Sequence, residues 1–248
     1  MKHLIYIIAF VFLFSCDNEN SSDCFQKTGE LIQEEVEVLS FTKILVNRDV
    51  ELILKEGSPQ KVLIETGKNL FNDVEAVVID NQLVLTDNNT CNYVRSYGVT
   101  KVYVTAPNIT EIRSSTQYDI SSDGVLTYPS LRILSEDFTQ PGSFTDGNFN
   151  LEIDNNSFSV LFNGVANCYI SGKTNNLEVS FSAGNSRFEG RNLVAENVTI
   201  WSRSTNDMIV NPQQSIKGRI TSIGNVISVN KPPVIDVDEL YKGRLIFE

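Results

Sequence analysis

The chain has one histidine among its 248 residues, His3. It lies in the apolar leader described below, so residues 17–248 contain none. That absence excludes Ser-His-Asp and Cys-His catalysis, histidine general bases and histidine-ligated zinc in that part of the chain. No glycine-rich phosphate loop and no dinucleotide fingerprint is present. Beyond the leader, no apolar run approaches the roughly 20 residues that a transmembrane helix needs. Basic residues are in deficit: 20 Lys and Arg stand against 31 Asp and Glu, a formal net charge of -11. An acidic surface repels phosphate backbones and anionic lipid, which argues against nucleic-acid binding and against electrostatic adhesion to a membrane. Helical periodicity is almost missing as well.

What is present begins at the amino terminus. Met1 and Lys2 lead into an apolar run from Leu4 to Phe14. The run is too short to span a bilayer and suits the core of an export signal. It ends in Leu13-Phe14-Ser15-Cys16, and Asp17-Asn18-Glu19-Asn20 follow. A small residue directly before a cysteine, with a polar tail after it, reads as a bacterial lipobox. Residues 1–16 are therefore read as a lipoprotein signal ending at a lipidated Cys16. Residues 17–29 are read as a polar tether and 30–248 as one all-β domain. Several acyl chains, at ~0.8 kcal/mol per buried methylene, hold a protein at a membrane where a single chain does not. The expected location is the cell envelope, anchored at the outer membrane, on its periplasmic side or at the cell surface.

Three further cysteines remain. Cys24 and Cys91 lie in polar, loop-like surroundings and are expected to form a disulfide, in keeping with an oxidising compartment. Cys168 alternates with Ile170 and is expected to be a buried free thiol in a strand.

Period-two alternation dominates residues 30–110. Ile44 and Val46 share a face, as do Val50, Leu52 and Leu54, then Val62 and Ile64. Val77-Val78-Ile79 and Leu83-Val84-Leu85 flank Asp80-Asn81, a tight hairpin turn. Val102 and Val104 precede Ala106-Pro107, where proline stops the ladder. In residues 111–248 short strands are expected between Asn, Ser and Gly. Apolar pairs recur there about every 20 to 26 residues: Leu131/Ile133, Leu151/Ile153, Leu177/Val179 and Val198/Ile200, then Ile220. Such repeats suit a solenoid, in which each coil buries its apolar face by stacking on a neighbour. A β-sandwich with Greek-key connections fits the strand spacing too.

Several segments carry a resemblance, in order. They are Leu39-Ser40-Phe41-Thr42-Lys43-Ile44, Val50-Glu51-Leu52-Ile53-Leu54-Lys55-Glu56-Gly57, Asn81-Gln82-Leu83-Val84-Leu85, Val102-Tyr103-Val104-Thr105-Ala106-Pro107 and the stretch from Ile216 to Pro233. In these the chain resembles the head GIN domain family of auto-transporter adhesins, over about residues 30 to 248. The resemblance implies a right-handed parallel β-helix, or solenoid, with a more sheet-like N-terminal part. It implies a surface role and transfers no binding residues.

Candidate chemistry is sparse. Asp119, Asp123, Glu136, Asp137, Asp146 and Asp154 offer carboxylates for glycoside cleavage, but they sit beside turn residues and read as solvated corners. Asp119 with Asp123, or Asp236-Val237-Asp238-Glu239, lacks the spacing of a calcium loop. No catalytic residue, metal or cofactor is expected. On strict alternation Trp201 and Thr199 share a face opposite Ile200, so Trp201, with Arg203 nearby, is the candidate ligand contact. The opposing reading packs Trp201 under a loop. Pro232-Pro233 and the stretch Arg244 to Phe247 are expected to close one end. The expected function is non-catalytic binding or adhesion, with the membrane as partner through the lipid and a glycan or surface protein as ligand. A polysaccharide-active enzyme and a purely structural envelope component are the alternatives.

Overall fold

The computed structural model describes residues 23–248. Cys16 and the leader lie outside the described residues. The fold is all-β, and no α-helix occurs among the described residues.

The alternating segments become strands. The chain opens with β1 (Leu31–Val36), β2 (Lys43–Val46), β3 (Glu51–Glu56) and β4 (Lys61–Gly67). An antiparallel hairpin follows, β5 (Val74–Ile79) and β6 (Gln82–Asp87), with Ile79 opposite Gln82. Asp80 and Asn81 turn it at φ of 49° and 64°, a left-handed conformation that Asp and Asn tolerate better than most side chains. Next come β7 (Lys101–Ala106), β8 (Glu111–Ser114), β9 (Ile120–Leu126) and β10 (Ser130–Ser135). The following strands are the longest: β11 (Phe149–Phe162), β12 (Asn167–Phe181), β13 (Arg187–Ser202) and β14 (Met208–Ile220), of 14, 15, 16 and 13 residues. The chain closes with β15 (Val226–Ser228), β16 (Val234–Glu239) and β17 (Leu245–Phe247).

The long strands correct the expectation of short ones. Polar corner residues do not end the strands: pairing resumes across them, with register shifts between Tyr169 and Gly172, between Glu189 and Val194 and between Ala195 and Asn197. Asn155 lies opposite Thr174, and Thr174 opposite Ala195. The amide of Asn175 donates to Asn156 Oδ1 at 2.9 Å. A chain that bends while keeping its ladder remains a single strand.

All 17 strands join one sheet, which runs as two ladders. In the first, β6, β2, β8, β10 and the C-terminal half of β11 pair in parallel, in that order. The C-terminal halves of β12, β13 and β14, then β16, continue it. In the second, β7, β3, β9 and the N-terminal half of β11 lead on through β12, β13 and β14 to β15 and β17. Antiparallel pairing is confined to β1–β4, β4–β7 and β5–β6. No second facing layer of antiparallel strands exists over residues 130–230.

The register differs from the sequence expectation at two places. Leu131 pairs with Phe158, not with Leu151; Leu151 belongs to the second ladder, opposite Ile170. Ile220 likewise lies opposite Ser202, while Val198 pairs with Ile216. Apolar strands of the same alternation occur in both ladders, and the segment between β10 and β11 lengthens the spacing between them.

Every second side chain points between the ladders and fills a single core. Phe149, Phe162 and Phe181 stack there, with ring centroids 5.4 and 5.8 Å apart. Close contact between stacked strands requires glycine at several positions, of which two show the cause most plainly. A Cβ at Gly172 would stand 2.0 Å from the Ile153 carbonyl oxygen, and one at Gly218 would stand 1.9 Å from that of Ile200. Both have positive φ, of 103° and 130°. The segment after β10 is fastened by Glu136, wholly buried, which accepts from the Thr139 amide at 2.9 Å and pairs with Arg113 at 2.5 Å.

The amino-terminal residues dock on the domain. Cys24 and Cys91 form a disulfide, as expected. Gln26 is buried and donates to the Asn69 carbonyl at 2.7 Å. At the other extreme, β17 pairs only with β15, and β16 only with β14. Pro232 is buried and Pro233 exposed.

Candidate functional site

The side chains that alternate with the core form outer walls. On the first ladder, Ile200 is buried and Trp201 faces outward, half-buried. In-register stacking places Ser180, Trp201, Arg219 and Asp238 in one row. Glu178, Thr199, Lys217 and Asp236 form the row beside it. The guanidinium carbon of Arg219 lies 4.9 Å from the Trp201 ring centroid, a cation–π contact. All of these residues except Lys217 line a shallow hollow of about 450 Å³.

The electrostatics of this hollow are unbalanced. Glu178, Asp236 and Asp238 line it, and none of them forms an ion pair among the described residues. Arg219 lies against the aromatic ring with no carboxylate partner among the described residues. The surface thus offers three free carboxylates as hydrogen-bond acceptors, one guanidinium and an apolar ring, a mixture suited to a hydroxyl-rich ligand.

Arg203, the other sequence candidate, is exposed at the end of β13 and does not line the hollow. Its amide donates to the Phe181 carbonyl at 2.8 Å. Sequence reasoning set Arg203 beside Trp201 and did not place Arg219, Glu178 or Asp238 there. The signal was the coil length: 18 residues separate Trp201 from Arg219, which the ladder turns into adjacency.

The other carboxylates serve the coils. Asp119 accepts from the side-chain amides of Asn148 and Asn150 at 3.0 and 3.1 Å. Asp123 pairs with Lys55 at 2.8 Å and Asp154 with Lys173 at 3.1 Å. Asp137 accepts from Asn163 at 2.6 Å, and Asp146 is exposed. They bridge stacked strands more than they stand free at corners. No group of three metal-ligating side chains forms among the described residues. Cys168 is a buried free thiol, and burial pushes its pKa well up, which keeps it protonated and unreactive.

Two parallel ladders, a filled interior and a mixed aromatic and charged outer wall define an all-β domain. The chain belongs to the family described as "Putative auto-transporter adhesin, head GIN domain", whose match spans residues 40–232. Solved structures share its fold. A protein of Bacteroides fragilis described as a putative adhesin superposes with a TM-score of 0.79 at 19% identity, covering 90% of this chain and 99% of its own. A putative adhesin of Parabacteroides distasonis gives 0.61 at 16% identity, covering 90% and 99%. A putative lipid binding protein of the same species gives 0.60 at 12% identity, covering 89% and 98%. No curated protein matches the sequence.

Proposed function

We propose that this chain is a lipid-anchored, non-catalytic binding module of the cell envelope. Its domain is a right-handed parallel β-helix, and the wall around Trp201 meets a glycan on a neighbouring surface. The observation that carries this reading is the hollow in which Trp201 and Arg219 lie among three unpaired carboxylates. Sugar hydroxyls would donate to Glu178, Asp236 and Asp238. Arg219 would donate to ring or hydroxyl oxygens, and the indole edge would cover the apolar face of a sugar. The family and the adhesins that share the fold support a binding role. The one lipid-binding description among them points elsewhere, but the interior here is filled by stacked phenylalanines, which favours recognition on the outside. Single contacts of this kind are weak, and many anchored copies would add avidity.

The test is a glycan array probed with the protein and with Trp201→Ala, alongside a reducing-sugar release assay on every glycan bound. Binding by the parent, at least tenfold weaker in the variant and without product release, is the expected result. Binding indifferent to Trp201 removes this site, and release of product removes the non-catalytic reading.

A further inference from the structure

The corner joining β6 to β7 holds a cluster of apolar and aromatic side chains that the fold does not cover. Tyr93 is 75% exposed, Tyr97 74%, Phe25 54% and Val94 53%. The Phe25 and Tyr93 rings are tilted neighbours with centroids 5.7 Å apart. Large exposed apolar side chains grouped in this way mark a contact surface.

The platform under them is built, which separates it from a loose loop. The Cys24–Cys91 disulfide ties the amino-terminal segment to this corner. The Tyr93 amide donates to the Cys24 carbonyl at 2.9 Å. Asn92 Oδ1 accepts from the amides of Val94 and Arg95, at 3.2 and 2.9 Å, and its own amide group donates to the Arg95 carbonyl at 2.8 Å. The Arg95 guanidinium reaches the carbonyls of Gln26 and Asn89 at 3.3 and 3.2 Å. Polar side chains thus hold the backbone in place, the Tyr97 hydroxyl among them through a bond to the Asn92 carbonyl at 3.3 Å, while the rings stay largely exposed.

The occupant follows from the chain outside the structure. Cys24 stands eight residues after Cys16, a reach of at most about 29 Å. A lipid on Cys16 would keep this corner close to a bilayer. Tyrosine, with an apolar ring and a hydroxyl tip, suits headgroup depth, where both ends of the side chain are satisfied. The net charge of -11 means that such contact would rest on apolar burial, not on attraction to anionic lipid.

We infer that Phe25, Tyr93, Val94 and Tyr97 form a membrane-docking surface that seats the domain on the bilayer bearing its lipid. This rests on the lipid-anchor reading of Cys16. Docking at this corner also sets orientation. Six strand spacings of about 4.8 Å separate β6 from β13 along the first ladder, so Trp201 would stand about 29 Å further along the stack, clear of the bilayer.

Trp201 is the only tryptophan, which makes fluorescence a direct readout. The full-length protein is produced in a lipidating bacterium and reconstituted into phosphatidylethanolamine–phosphatidylglycerol vesicles, with or without lipids brominated near the headgroup. Tyr93→Trp and Tyr97→Trp, each with Trp201→Phe, are compared with the parent. Brominated lipid is expected to quench both new tryptophans about twofold or more and to leave Trp201 of the parent unchanged. Failure of quenching at both 93 and 97 overturns the docking surface, and crosslinking of these positions to a protein instead would overturn it in favour of a protein partner. Quenching of Trp201 to the same extent overturns the orientation. The mass of the peptide carrying Cys16 reports the anchor separately. If Cys16 is unmodified while residues 93 and 97 are quenched, the anchor reading fails and the docking surface stands.

Discussion

The guanidinium of Arg113 lies 2.5 Å from the carboxylate of Glu136, a side chain with no exposure to solvent. Arg113 stands on β8, and Glu136 follows β10, so the pair bolts the segment after β10 to the neighbouring strand. Burial raises the Glu136 pKa, but hydrogen bonds from Thr139 and the charge and hydrogen bond of Arg113 outweigh it, and the net shift is downward.

Replacing Arg113 with Met leaves a buried carboxylate short of its cation. A loss of about 3–5 kcal/mol is expected, read by urea denaturation at pH 7. An unchanged midpoint would show that Thr139 alone satisfies the carboxylate.

The same pair fixes a pH dependence. Because the folded-state pKa of Glu136 lies below its ordinary value of 4.5, its contribution is complete above that value. It is lost as pH falls through the lowered folded pKa. Denaturation series from pH 7 to pH 3 should therefore show a steeper decline below about pH 4.5 for the parent than for Glu136→Gln.

Closing a loop of 67 residues, the Cys24–Cys91 disulfide contributes about 4 kcal/mol in the chain-entropy model. Cys24→Ser with Cys91→Ser should lower stability by up to that amount, measured in the absence of reductant. Adding reductant should lower the parent toward the variant and leave the variant unaffected.

Phe162 sits between Phe149 and Phe181 in the stacked interior. Phe162→Ala should cost about 3–5 kcal/mol through lost burial and the cavity left behind. Phe162→Leu, which restores most of the volume, should recover the greater part in the same thermal unfolding experiment.

Gly218→Ala should destabilise for a different reason, since the added methyl group would meet the Ile200 carbonyl oxygen and the backbone has φ of 130°. Ser215→Ala, three residues away at a solvent-facing corner, is the control. It removes one hydrogen bond to Asn197 Oδ1, about 1 kcal/mol.

Much of the fold could be read from the chain because its signals are local. Asp80-Asn81 declares a turn by residue type, and period two declares which side chains point inward. Cys24 and Cys91 advertise themselves as a pair by their polar surroundings. Register was harder. Leu131 and Leu151 look equivalent in sequence, yet such strands occur in both ladders, and only three-dimensional stacking decides that Phe158 is the true partner. The wall around Trp201 was half legible for the same reason. Alternation showed that Trp201 turns outward. The coil lengths that bring Arg219 and Asp238 beside it vary, so the row could not be assembled from one sequence. The aromatic corner was invisible because Phe25 and Tyr93 become neighbours only through the disulfide and the side-chain braces around them.

The final strand of the first ladder, β16, has one flank without a partner among the described residues and carries Asp236, Asp238 and Glu239, the last paired with Arg244 at 3.5 Å. A second molecule offering the same flank would bring matching negative charges face to face. Pairing of two copies edge to edge through β16 is therefore disfavoured, and the ladder is kept from extending into a twin of itself.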